Sequence, residues 1–300
     1  MKLKFLLTVS MVIVLSLSTS IASADAVAEF TDGNTSTAVD GYVGMAGGGW
    51  ANAWTPLEYF VTATFNVENT NPLYTNSGNY LSITAADPYS TGLTGGGRAT
   101  TVRNYTDGID LEDDYTISFS IRIDEMDDMD LAKDQFLVFE GAAEATNASS
   151  SSFFIIKATG NATDPTIFQQ WTVTDGNNDG TTDTLDTNLS LAEGNIYEFV
   201  LNVHPDPDGN GIMDGNGTYD VAITNITASE SFSATDLGWR AAGTTLGGYL
   251  HFTTMVAGAT DDVGSMSIDN VAISQAQVPE PSTMVLLASA LLGLLIWRKK

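Results

Sequence analysis

Between Thr174 and Thr187 the chain reads Asp175-Gly176-Asn177-Asn178-Asp179-Gly180-Thr181-Thr182-Asp183-Thr184-Leu185-Asp186. Asp175, Asn177, Asp179, Asp183 and Asp186 put side-chain oxygens at positions 1, 3, 5, 9 and 12, and Thr181 joins the set. Gly180 stands at position 6, where a loop that wraps a cation turns sharply. Hard oxygen donors on alternating residues suit Ca²⁺. Asp206, Asp208, Asn210 and Asp214 repeat positions 1, 3, 5 and 9 in a second stretch, Asp206 to Asn216. The competing account is mechanical. Asp, Asn and Gly tolerate left-handed backbone and tight hairpins, so both stretches serve equally well as links between strands.

Other chemistry is sparse. The chain has no cysteine and two histidines, His204 and His251, which excludes thiol catalysis and argues against a histidine-rich zinc site. The densest carboxylates, Asp124 to Asp130, follow an alternating strand as a solvated acidic loop does. A ligand surface is better sought on Gly248 to Met255. There Tyr249, His251, Thr253 and Met255 share one face opposite Leu250, Phe252 and Thr254, so Tyr249 and His251 are the candidate contacts for a glycan.

Strands must position these groups. Tyr115 to Ile123 alternates apolar and polar residues for nine positions, the pattern of a strand with one buried face. Tyr197, Phe199, Leu201 and Val203 share a face, as do Tyr219, Val221 and Ile223. Further strands are expected at Val61 to Val67, Tyr80 to Thr84, Thr100 to Tyr105, Phe136 to Phe139, Phe153 to Lys157, Ile167 to Thr174, Gly248 to Met255 and Ser265 to Ser274. In the last of these Met266 and Ile268 hold one parity and Val271 and Ile273 the other, which predicts a β-bulge at Asp269-Asn270. No segment between the two ends sustains helical periodicity, so the fold class is all-β, and residues 25–274 are expected to form one β-sandwich domain. Trp50 and Trp54 offer either a sugar-stacking platform or core plugs, the second being commoner for such residues.

The two ends carry addresses. Lys2 and Lys4, the largely apolar run Phe5 to Leu17 and the small-x-small triplet Ala22-Ser23-Ala24 make residues 1–24 a signal peptide, with Asp25 the first mature residue. At the other end Val278-Pro279-Glu280-Pro281 leads into an apolar run, residues 284–297, whose one hydroxyl residue is Ser289, and then Arg298-Lys299-Lys300. Proline disfavours helix in the residue before it, so Val278 to Pro281 should be extended and accessible. The apolar run reads as a short transmembrane helix whose basic end stays on the cytoplasmic side. From Asp25 to Val278 there are 36 acidic and six basic residues, a formal charge of −30. Such a field repels nucleic acid, attracts divalent cations and keeps an exported domain soluble. Without disulfides, stability must come from a large core, with bound metal as a possible supplement.

The Pro-Glu-Pro turn, the apolar stretch and the basic end of residues 275–300 resemble the PEP-CTERM tail of bacterial envelope proteins. That resemblance implies an exosortase-type processing enzyme as partner, cutting near Pro279, and delivery to the cell surface or to an extracellular polysaccharide matrix. A plain anchor that is never cut is the alternative. The strand pattern and the closing Ser-Met-Ser-Ile-Asp-Asn-Val-Ala-Ile-Ser resemble an antiparallel jelly-roll sandwich of the concanavalin A or laminin-G type, and Gly49-Trp50 to Trp54 resembles the opening of PEP-CTERM proteins bearing such domains. Sandwiches of this type often hold structural Ca²⁺, which favours the loop reading by analogy. The loop departs from an EF-hand in its flanking strands and in Asp186, shorter than the usual bidentate Glu. Laminarinase-like hydrolases of this shape carry Glu-x-Asp-x-Glu on a strand; the nearest string here, Glu125-Met126-Asp127-Asp128-Met129, lacks the third carboxylate. The expectation is a non-enzymatic, exported jelly roll that binds polysaccharide and uses Ca²⁺, ahead of a polysaccharide hydrolase or a protein-binding adhesin.

Overall fold

A computed structural model of the protein describes residues 24–28, 30, 48–74, 78–86, 97–107, 109–127, 129, 134–141, 143–144, 152–159, 170–176, 183–205, 217–240, 247–257 and 262–275. Residues 1–23, read above as signal peptide, the tail from 276 to 300 with its apolar run, and the loop positions Asn177, Asp179, Thr181, Asp206, Asp208, Asn210 and Asp214 lie outside the described residues.

Among the described residues fifteen strands follow one another: β1 Ala24–Val27, β2 Thr55–Tyr59, β3 Thr62–Glu68, β4 Tyr80–Ala86, β5 Gly97–Asn104, β6 Tyr115–Glu125, β7 Gln135–Gly141, β8 Ser152–Thr159, β9 Trp171–Asp175, β10 Asp183–Asp186, β11 Ile196–His204, β12 Thr218–Asn225, β13 Glu230–Gly238, β14 Tyr249–Val256 and β15 Val263–Gln275. They build an eight-stranded sheet ordered β13-β12-β11-β6-β15-β4-β3, with β1 added to β15, and a seven-stranded sheet ordered β10-β9-β8-β7-β14-β5-β2. The chain steps from one sheet to the other at β4, β5, β6 and β7, and the two last strands enter the middle of the sheets, β14 between β5 and β7 and β15 between β4 and β6. That interleaving makes the all-β sandwich an antiparallel jelly roll.

The alternation read from the sequence explains why the sheets face each other. In β11 Tyr197, Phe199, Leu201 and Val203 are buried, while Glu198, Val200 and Asn202 between them are exposed. Phe199 stacks on Phe119 of the neighbouring β6 with centroids 4.8 Å apart, and the two meet rings from the opposite sheet. Phe252 of β14 meets Phe119 edge-on at 5.2 Å, and Trp171 of β9 meets Phe199 edge-on at 5.2 Å. These aromatic contacts tie the sheets across the core.

The bulge lies where the parity switch puts it. In β15 the register against β6 shifts between Asp269 and Ala272, and Asn270 takes a φ of 53°. The extra residue lets Met266, Ile268, Val271 and Ile273 all be buried while Asn270 is exposed. Four strands escape the sequence reading: β1, β2, β10 and β13. Pro56 disqualifies β2 as a central strand, and β2 is an edge, paired only with β5.

Trp50 and Trp54 are plugs. Both are buried, with ring centroids 5.8 Å apart, and Trp54 also packs on Phe30 and Phe252. The buried Arg103 guanidinium lies 4.5 Å from the Trp50 ring centroid and donates from Nε to the Asn52 carbonyl at 2.9 Å. A cation over indole faces, fixed by its own hydrogen bond, clamps residues 50–54 onto the end of β5.

Candidate functional site: the outer face of the seven-stranded sheet

Strand register fixes which side chains share the face turned away from the core. Leu250, Phe252 and Thr254 of β14 point inward, so Tyr249, His251, Thr253 and Met255 point outward. Their partners in register share that face. His251 is opposite Phe139 and Val102, Thr253 is opposite Leu137 and Thr100, and Met255 is opposite Gln135 and Arg98. The row through Thr253 continues from Leu137 to Lys157, then to Thr172 and finally to Asp186 at the sheet edge. On the other side Tyr59 of β2 lies opposite Arg98, whose guanidinium carbon is 4.1 Å from the tyrosine ring centroid.

This face is mixed in a definite way. Leu137, Phe139 and Ile155 form an apolar cluster against which Met255 packs. Thr100 and Thr253 join hydroxyls at 2.9 Å. Tyr59, Arg98, Lys157 and Tyr249 are part-exposed. Tyr249 can therefore meet a ligand directly, but His251 is fully buried and stacked 4.3 Å from Phe139 at an interplanar angle of 11°. Burial lowers its pKa to about 3, with Arg98 adding to the depression, so the imidazole is neutral at ordinary pH. The shared parity of Tyr249 and His251 holds; direct ligand contact at His251 is corrected, because the ring is fully buried and stacked on Phe139.

The first calcium-type stretch spans a hairpin. Asp175 ends β9 and Asp183 begins β10, and the two are register partners whose side chains share a face. Asp186 is opposite Thr172, at odd separation from Asp183, so it points to the other side of the sheet. One ion at the neck of this hairpin can draw on Asp175 and Asp183 and not on Asp186. Asp175 also holds the two sheets together. Its Oδ1 accepts the Gly238 amide at 2.9 Å, while Gly176 N donates to the Gly238 carbonyl at 2.8 Å. Those bonds fasten the end of β9 to β13 of the opposite sheet. Among the described residues no group of three or more His, Asp or Glu side chains converges as a metal site.

Comparison with known proteins decides the tail. Residues 277–300 match the PEP-CTERM protein-sorting motif. This chain carries a PEP-CTERM sorting signal. The signal marks a secreted protein that is anchored or processed at the cell envelope. A search of curated proteins finds no match to the sequence. Among solved structures, the chain is similar to lectin II from Ulex europaeus, at 12% identity over 73% of this chain and 97% of the lectin with a TM-score of 0.39. It is also similar to alginate lyase vAL-1 from Chlorella virus, at 12% identity over 81% and 100% of the two chains with a TM-score of 0.44. A carbohydrate esterase from Shiga toxin-encoding bacteriophage phi24B matches at 11% identity over 85% and 99%, with a TM-score of 0.44.

Among the described residues of the PEP-CTERM chain, some acid groups are held by neighbours and others are buried. Asp124 pairs with Arg122 at 2.5 Å, and the Asp127 backbone carbonyl accepts the Val263 amide at 3.0 Å. Glu125 is raised above the usual carboxylate range by burial and then by Asp127 and Glu193. His204 lies 2.9 Å from Asp114 and 3.6 Å from Asp220 at the surface. Sequence reasoning missed Glu140. It follows Phe136 and Val138 at inward parity on β7, so its carboxylate is buried between the sheets and accepts the Tyr115 hydroxyl at 3.0 and 3.1 Å; Tyr105 in turn donates to Tyr115 at 3.2 Å. Burial raises Glu140 to about 7, partly offset by the two tyrosines. The available signal was a glutamate in phase with an apolar strand face.

Proposed function

We propose that the protein is exported through the inner membrane by its N-terminal signal, processed near Pro279 by an exosortase, and delivered to the cell surface or the extracellular polysaccharide matrix. There the jelly roll binds polysaccharide on the outer face of its seven-stranded sheet, without catalysis. The observation that carries this reading is the sorting motif at residues 277–300. A two-sheet sandwich with part-exposed Tyr59 and Tyr249 on one broad face supports the binding role, since flat aromatic rings suit sugar rings. Ca²⁺ at the neck of the β9-β10 hairpin, held by Asp175 and Asp183, would relieve the repulsion of two carboxylates in a domain of formal charge −30.

Mass spectrometry of the exported form tests the central claim. A C-terminus near Pro279 is expected; one at Lys300 refutes processing. The same preparation, incubated with polysaccharides, should bind without releasing new reducing ends, and release of such ends would move the protein to the hydrolases. Its melting temperature should rise with added Ca²⁺ and fall back with a chelator if the hairpin holds the ion.

A further inference from the structure

We infer that the polysaccharide bound on this face is a carboxylated, anionic one, held by Arg98 and Lys157 with Arg240 beside them. The inference rests on the glycan-binding reading above and adds the ligand's charge. It begins with scarcity. Only six basic residues stand between Asp25 and Val278, against 36 acidic ones, so the default fate of each is a carboxylate neighbour. Arg122 follows that rule, paired with Asp124. Arg103 is buried beneath the two tryptophans. Lys133 lies outside the described residues.

The other three gather on and beside the outer face. Register places Arg98 and Lys157 on that face, separated by β14 and β7, a span of three strand spacings or ~14 Å. Arg240 is anchored next to Lys157's strand: its amide donates to the Phe153 carbonyl at 2.8 Å and its guanidinium to the Ser152 hydroxyl at 3.3 Å. Among the described residues neither Arg98 nor Lys157 forms an ion pair. Arg98 rests on the Tyr59 ring, and the Lys157 ammonium is depressed by burial and by Arg240 with no carboxylate opposing either effect. The carboxylate that shares Lys157's row is Asp186, two strand spacings away, ~10 Å.

A domain with a large acidic excess therefore keeps Arg98 and Lys157 on one face and away from its own carboxylates. Part-burying two cations away from any carboxylate is costly unless an external anion completes the arrangement. Cations spread over ~14 Å fit charges repeated along a polymer better than a single small anion. Arg98 brings the planar fork that grips carboxylate, with an aromatic ring beneath it to hold the fork in place.

The test uses the full-length protein in detergent, with polygalacturonate as the carboxylated probe and dextran as the neutral one. Binding is measured at about 50 and about 500 mM NaCl, on either side of the screening expected for exposed charges. Polygalacturonate affinity should drop at least ~10-fold at the higher salt and by a similar factor in an Arg98→Gln/Lys157→Gln double variant, as loss of paired charges predicts. The charge-keeping double variant Arg98→Lys/Lys157→Arg should retain most of the binding, and thermal melting of each variant separates a lost site from a lost fold. A double Gln variant that melts as the parent does and still binds polygalacturonate equally well overturns the inference. Binding of dextran in preference to polygalacturonate also overturns it while leaving the glycan reading intact, and failure to bind either polymer removes both.

Discussion

Glu140 and His251 should make this protein's stability respond to pH in two opposing ways that single substitutions can separate. The native Glu140 carboxyl keeps its proton to about 7, whereas an ordinary glutamate releases it near 4.5. Between those values the folded state binds the extra proton, so stability falls as pH rises. At about 1.4 kcal/mol per pH unit the loss from pH 4.5 to above 7 is about 3 kcal/mol, with little discount because the group is fully buried. His251 acts in the other direction. Its native imidazole stays neutral down to about 3, but in the unfolded chain it gains a proton below the ordinary 6.5, so this contribution is complete above 6.5 and shrinks as pH falls, by about 3 kcal/mol at pH 4.5. Over the shared interval the two nearly cancel. Urea unfolding followed by tryptophan fluorescence, at half-unit steps from pH 4.5 to 7.5, reads the difference between each variant and the parent. Glu140→Gln should gain about 3 kcal/mol relative to the parent on going from pH 4.5 to 7.5, and His251→Phe should gain a similar amount on going from 7.5 to 4.5. Parallel pH profiles for parent and both variants would refute the reasoning, because they would mean that neither group is held in its neutral form by the fold.

Three further substitutions probe the packing. Trp54→Ala should cost roughly 3 to 5 kcal/mol in the same unfolding assay, since the ring is buried among Phe30, Trp50 and Phe252; a loss under about 1 kcal/mol would return it to the role of surface platform. Gly217→Ala should destabilise by roughly 1 to 3 kcal/mol, because its Cβ would stand 2.0 Å from ring atoms of Trp239, and an unchanged midpoint would show that this indole has room to move. Phe60 is exposed and has a φ of 54°, a backbone that bulky residues resist. Phe60→Asn should therefore raise stability by ~0.5 to 1 kcal/mol by removing strain, and a loss would mean that the ring contributes packing which outweighs it.

The parts of the fold that were legible in the sequence are those where one physical demand dominates. β6, β11 and β12 each have neighbours on both sides and one face in the core, so burial imposes strict alternation on Tyr115 to Ile123, Tyr197 to Val203 and Tyr219 to Ile223. The Asp269-Asn270 bulge was legible for the same reason, since only an inserted residue can bury both parities of β15. Edge strands feel that demand less, although β3, also an edge, still buries Phe65 and Val67 in alternation. β2 contains proline, β10 reads Asp-Thr-Leu-Asp, and much of β13 is exposed, so their sequences answer to solvent and turn geometry more than to a core. The outer face was legible only along β14, where Tyr249 and His251 fall on one side. Its cations were not, because Arg98 and Lys157 are far apart in sequence and only the order β5-β14-β7-β8 brings them to one surface. Glu140 was hidden by the habit of reading glutamate as solvent-facing.

The placement of β14 and β15 has a consequence for the journey that the sorting signal implies. Without these two strands the eight-stranded sheet falls into β13-β12-β11-β6 and β4-β3, and the seven-stranded one into β10-β9-β8-β7 and β5-β2. Neither half can close its core until residues 249–275 arrive. Long-range pairing of this kind folds slowly. On the export route proposed above, a chain threading outward from its N-terminus would stay loose until almost the whole sandwich had crossed, and would lock only when its final strand entered between β4 and β6. The strand that completes the fold ends at Gln275, two residues before the matched motif begins, so on the proposed route the completed domain and its sorting signal would emerge in close succession.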